Sequence, residues 1–218
     1  MKFEITSGKI RVTDPCYTKD IWCAGVLENC LNGMWEASKV VYGNEITGGW
    51  GNRIGELKIC HEQYLGSECY EKTDIDVGDD SGQAGFFDGG KYPEGDIGEY
   101  GNTDTFYGKV CAGTSGTLRE YKEKMYSDEN IKIFEELFSS NPELDKNEVK
   151  KIIDSMKSLM ATRETHDYLG IANVGFGVAT SSGYGDGGYN CYVKRDINGM
   201  IIAAKIVFID LNDNEEEY

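Results

Sequence analysis

Three short stretches of the chain concentrate acids, hydroxyls and aromatic rings among glycines. They are Thr13-Asp14-Pro15-Cys16-Tyr17, the run from Asp79 to Asp88, and the run from Ser181 to Tyr192. Carboxylates are the usual oxygen ligands of hard cations. Asp80, Asp88 and Asp186 therefore form one candidate set for Mg²⁺ or Ca²⁺, with Asp14 as a base, and such a metal would activate water for hydrolysis. The competing chemistry is recognition. Tyr17, Phe86, Tyr184 and Tyr189 offer ring faces to a flat ligand, while Asp14, Asp80, Ser81, Gln83 and Asp186 offer directional hydrogen bonds. Aspartate beside glycine also has a purely structural use, since its carboxylate closes turns by accepting nearby backbone N–H groups.

Nucleophilic catalysis has weaker support. Ser81, Ser182, Cys16 and Cys191 would each need a base recruited from His61 or His166, the two histidines of the chain. The H-E-x-x-H metalloprotease motif and the G-x-x-x-x-G-K-[ST] phosphate loop are both absent. The leading expectation is thus a non-catalytic binding protein that needs no cofactor. A metal-dependent hydrolase acting on a nucleotide or phosphoester is the alternative.

Bulk properties narrow the partners. The 218 residues carry 38 acidic against 22 basic side chains, a net charge of −16. That charge repels phosphate backbones, and the densest basic pairs are only Lys150-Lys151 and Lys194-Arg195, so no extended nucleic acid is expected. It also suits a third reading, an inhibitor module steered onto a basic protein. No apolar run approaches the length of a membrane span, and the first residues lack a leader's apolar stretch, so a cytoplasmic location is expected. Seven cysteines without a C-x-x-C pair read as free thiols in a reducing compartment. Nothing in the sequence excludes an oligomer.

The elements that must position these residues fall into two regimes. Residues 117–169 contain no glycine and read as a helical insertion, with helices over about 129–138 and 145–160. The remainder alternates polar and apolar residues as strands do. Lys2–Thr6 and Lys9–Thr13 read as a hairpin turning at Ser7-Gly8, and Trp35–Tyr42 and Glu56–Cys60 as strands. In 74–77, Ile75 and Val77 share one face and Asp74 and Asp76 the other. Phe106–Cys111 reads as a further strand. Tyr189–Lys194 and Gly199–Ile209 form a hairpin through Asp196-Ile197-Asn198-Gly199, with its second strand covered on both faces. The fold class is mainly β (α+β): one compact antiparallel domain over 1–211 with the helical insertion, followed by an acidic tail, 212–218. A short likeness between Val77-x-x-Asp80-Ser81-Gly82 and Val178-x-x-Ser181-Ser182-Gly183 would set two glycine turns side by side.

Together, T-D-P-C-Y, D-S-G-Q-A-G-F-F-D and S-S-G-Y-G-D-G-G-Y resemble domain of unknown function 4241, a family of bacterial and phage proteins, over 1–115 and 170–209. The resemblance implies a compact mainly-β domain, often phage-borne, and carries no catalytic role across. It extends the binding expectation to a phage-encoded anti-defence protein that sequesters a small polar ligand such as a signalling nucleotide.

Overall fold

The computed structural model of the chain describes residues 1–19, 21–64, 69–98, 102–114, 136 and 169–211. The chain divides into two compact units, Met1–Ser115 with Tyr168–Tyr218, and Gly116–Asp167. The helices expected over 129–138 and 145–160, and the tail 212–218, lie outside the described residues apart from Glu136, which is helical.

The first unit is built from strands β1 (Lys2–Ile5), β2 (Lys9–Thr13), β3 (Gly25–Glu28), β4 (Gly33–Tyr42), β5 (Arg53–His61), β6 (Glu71–Asp79), β7 (Gln83–Asp88), β8 (Ile171–Asn173), β9 (Gly177–Ser181), β10 (Gly187–Arg195) and β11 (Ile201–Val207). A one-turn helix, α1 (Asn44–Thr47), lies between β4 and β5, and α2 (Phe106–Thr114) between β7 and β8. One sheet has the order β1-β4-β5-β11-β10-β6 and the other β3-β2-β7-β9-β8. All strand pairings within the two sheets are antiparallel. No helix among the described residues is long and apolar enough to cross a membrane.

The main core draws from both sheets, with Phe3, Ile5, Trp35, Leu57, Val77, Val193 and Ile206 from one and Ile10, Val12, Phe86 and Val178 from the other. A second cluster, on the far side of the five-stranded sheet, gathers Phe87, Tyr92, Val110 and Ala179 beneath α2. Strand β7 is consequently buried at every position. Successive strand side chains point to opposite faces, so Phe86 enters the main core and Phe87 meets the Phe106 and Tyr92 rings, with centroids 5.4 Å away.

Two expectations need correction. First, β1 and β2 do not pair as a hairpin. The chain changes sheet at Ser7-Gly8, so that β1 joins β4 while β2 joins β3 and β7. Asp88 holds this corner, its Oδ2 accepting hydrogen bonds from Thr6 N (2.6 Å), Thr6 Oγ1 (2.9 Å) and Ser7 N (3.3 Å). Second, 106–111 is helical. Thr105 Oγ1 accepts the Gly108 N–H (3.1 Å) as an N-cap does, and Phe106 and Val110 then fall on one helical face. Gln83–Asp88, after the turn at Asp80-Ser81-Gly82, is a buried strand. The hairpin of β10 and β11 forms as expected, with Asp196 Oδ1 accepting Asn198 N (2.9 Å) and Met200 N (2.8 Å) across the turn.

Burial alone would push the Asp88 carboxyl up, but the hydrogen bonds from Ser7, Thr6 and Gly90 outweigh it and hold the carboxyl below its ordinary value. Replacing Asp88 with Ala strands the N–H groups of Thr6, Ser7 and Gly90. Urea denaturation of Asp88→Ala is expected to show a loss of about 3 kcal/mol.

Candidate functional site

The three motif stretches meet at one corner of the sandwich. Strand β6 crosses from the six-stranded sheet into β7 of the other through Asp80-Ser81-Gly82, and β9 crosses back into β10 through 182–186. Because β6 pairs with β10 and β7 with β9, the two crossings lie side by side, joined by the Ser182 N–H to Gly82 O (3.0 Å). Gly82 takes φ +69° there, a left-handed conformation that glycine adopts without strain.

Asp14, just past the end of β2, bolts the first crossing in place. Its carboxylate is fully buried and accepts Asp80 N (2.9 Å), Ser81 N (2.7 Å), Ser81 Oγ (2.7 Å) and Cys16 N (2.7 Å). The loop that follows is held from a second side. The buried Arg11 guanidinium donates to Lys19 O (2.7 Å) and Thr18 O (2.9 Å) and lies 4.8 Å from the centroid of the Tyr92 ring. Tyr92 in turn donates to Tyr17 O (2.7 Å). Further along, Cys23 O accepts the Gly78 N–H on the outer edge of β6 (2.9 Å). A side chain at Gly78 would put its Cβ 2.6 Å from that of Cys23, so only glycine permits this approach.

Between this loop and the ends of β6 and β10 opens a cleft of about 610 Å³. Tyr17, Trp22 and Cys23 form one wall, and Asp76, Asp79, Asp80 and Asp186 supply the polar groups. No lysine, arginine or histidine is among the described lining residues. Asp76, Asp80 and Asp186 are exposed, and Trp22 is 91% exposed. The Tyr17 phenol is pushed well above its ordinary range by burial and by hydrogen bonds with Asp80 and Cys23.

Asp79 is different. It is 3% exposed, its Oδ1 accepts Gln83 N (3.0 Å), and its Oδ2 receives no hydrogen bond. Burial, joined by the adjacent Asp14 carboxylate, pushes it up to about 8; Ser182 and the Gln83 N–H pull the other way. Two facing carboxyls cannot both ionise cheaply in a low-dielectric site. A neutral Asp79 relieves that repulsion.

The sequence-derived candidates therefore separate. Tyr17, Asp80 and Asp186 line the cleft, while Asp14 and Ser81 form the clamp beneath it. Gln83 is buried and accepts the Thr114 hydroxyl (3.2 Å), and Phe86 is in the core. Tyr189 is half-buried, donates to Ser182 O (3.1 Å) and also contacts Gly185 O. Tyr184 stacks edge-on against Trp50. Asp88 sits at the opposite end of β7 from Asp80, held on the β1–β2 corner, so it cannot share an ion with Asp80 and Asp186. No three His, Cys, Asp or Glu side chains among the described residues gather as metal ligands.

Burial and the Asp14, Asp80 and Asp79 carboxylates push the Cys16 thiol far up, the reverse of what a reactive thiolate needs. His61 is three strands from β6, about 14 Å across the sheet. Its Nε2 lies 3.1 Å from Asn32 O.

The site list drawn from sequence lacked Asp79, Asp76 and Trp22. Asp79 carried a usable signal: the apolar alternation of Ile75 and Val77 continues onto it and turns an acid inward. The folded-state value of Asp79 lies above its ordinary 3.8, so the stability held by its neutral form is complete below that value. It is lost as pH rises toward 8, by at most about 1.4 kcal/mol per pH unit. Asp79→Asn removes this loss. Denaturation from about pH 5 to pH 9 is expected to show the variant gaining on the wild type until about pH 8, then running parallel to it.

Of the three motif stretches, the two at Asp79–Asp88 and Ser181–Tyr192 fall within a match to a known family. No curated protein and no solved structure matches the chain. A family model described as a protein of unknown function, DUF4241, matches residues 76–206. The matched stretch starts on β6 rather than at the N-terminus, runs across 117–169, and includes both crossings of the cleft corner. As it spans more than half of the 218 residues, the chain belongs to the DUF4241 family.

Proposed function

We propose that this protein is a binding module and that the corner cleft receives the polar end of a small, flat molecule. The observation that carries this reading is the one-sidedness of the lining: four carboxylates beside two aromatic rings, with no cation among the described residues. Such a surface accepts hydrogen bonds and donates few, so it favours a ligand whose inserted end is rich in N–H groups. The clamp also supports the reading. Asp14, Arg11 and Tyr92 fix the Tyr17 wall through hydrogen bonds before any ligand arrives, which lowers the ordering cost of binding.

The narrower version, a phage-encoded protein that removes a host signalling nucleotide, requires one orientation. Phosphates pointed into the cleft would meet Asp76, Asp80 and Asp186, so a nucleotide would enter base first, its exocyclic amines on the carboxylates and its phosphates in solvent.

Thermal unfolding against a panel of linear and cyclic nucleotides, free nucleobases, organic amines, Mg²⁺ and Ca²⁺ tests the proposal. A true ligand at 100 times its dissociation constant stabilises by roughly 2.7 kcal/mol. The shift is expected for an amine-bearing planar compound and should disappear in Asp186→Asn/Asp80→Asn. A panel that leaves the melting temperature unchanged throughout contradicts it.

A further inference from the structure

The floor of the cleft holds a polar oxygen that no donor reaches. Asp79 is more than nine-tenths buried, it lines the cleft, and its Oδ2 has no hydrogen-bond partner. The groups facing it are Asp14 from the end of β2, Cys16 from the loop beyond, Ser182 from the second crossing and Tyr189 from β10, with Asp80 next to it in the chain. None is cationic. Positive charge is the one element this site lacks, and the cleft above it is walled by Tyr17 and Trp22, rings whose faces attract cations.

We propose that the inserted group of the ligand is an organic cation, a guanidinium or protonated amine, and that its arrival expels the proton held by Asp79. The inference rests on the reading of the cleft as a ligand site and adds the ligand's charge class and its linkage to protons. The balance is simple. Before binding, Asp79 is a carboxylic acid beside the Asp14 carboxylate; afterwards both are carboxylates, the cation lies over them, and one proton has passed to solvent. No bond to the ligand forms or breaks. Direct contact with Asp79 is unnecessary, because a positive charge within about 4–6 Å suffices to favour the ionised form. The proton and the cation thus compete for the same site, and affinity must rise with pH until the pair is ionised without help.

Agmatine is a suitable probe, since its guanidinium keeps its charge throughout the range of interest. Its binding is followed by NMR on the amides of Asp80, Ser81 and Gln83, which donate to the two carboxylates. The wild-type dissociation constant is expected to fall between pH 6 and pH 8 by up to about tenfold per pH unit and to level above that. In Asp79→Asn it should be flat across the range. Should that variant not fold, calorimetry on the wild type in buffers of different ionisation enthalpy still counts protons: about one released per agmatine at pH 7 and almost none at pH 9. Agmatine binding with the same constant at pH 6 and pH 9 would overturn the proton linkage while leaving the cleft a ligand site. Silence toward agmatine and simple amines, with binding of a neutral base or an anion, would overturn the cation and spare the binding reading. Silence toward every compound would remove both.

Discussion

Asp14 accepts four hydrogen bonds in a place where water cannot substitute for it. A backbone that crosses from one sheet to the other leaves its turn N–H groups without ladder partners, and buried N–H groups must find acceptors. At the β6–β7 crossing Asp14 is that acceptor; at the β1–β2 crossing it is Asp88. The arrangement is reciprocal. Strands β2 and β7 are antiparallel neighbours, and the acid just past or at the end of each holds the turn that leads into the other. The two corners are thereby locked to one register of β2 on β7, and a slip would break both clamps together.

The site inherits its character from that clamp. Asp14 pulls the 14–23 loop and the β6–β7 crossing onto the same point, which opens the cleft between them and brings Asp79 against a second carboxylate. Desolvation and like charge act in the same direction on Asp79, and the Ser182 side chain and the Gln83 N–H do not offset them. At Asp88 four donors surround one carboxyl and the balance reverses. Two buried aspartates in one small domain are therefore pushed in opposite directions, up at Asp79 and down at Asp88, according to the donors each one meets.

Much of the architecture was legible from alternation. The β10–β11 hairpin, β4, β5 and the outward face of β6 follow directly from side-chain period, and so does the antiparallel β class. What alternation cannot report is which sheet a strand joins. Ser7-Gly8 looks like a hairpin turn, and only Asp88, eighty residues later in the chain, diverts it into a corner. Phe106–Cys111 has strand-like composition, yet Thr105 caps it as a helix. The motif segments meet at one corner, where glycines, acids and aromatics cluster. Single residues were less legible: Phe86 and Gln83 belong to a strand buried on both faces, and Asp79 looks like one more turn aspartate until its inward parity is noticed.

The account turns on a neutral Asp79 beside Asp14 at the floor of the cleft. Carbon-13 NMR of protein labelled at the aspartate side-chain carboxyls, titrated from pH 4 to pH 10, examines it directly. The account predicts one aspartate resonance moving near pH 8, far above the ordinary value near 3.8, and missing from Asp79→Asn. Aspartate carboxyls that all complete their titration below about pH 6 would contradict it.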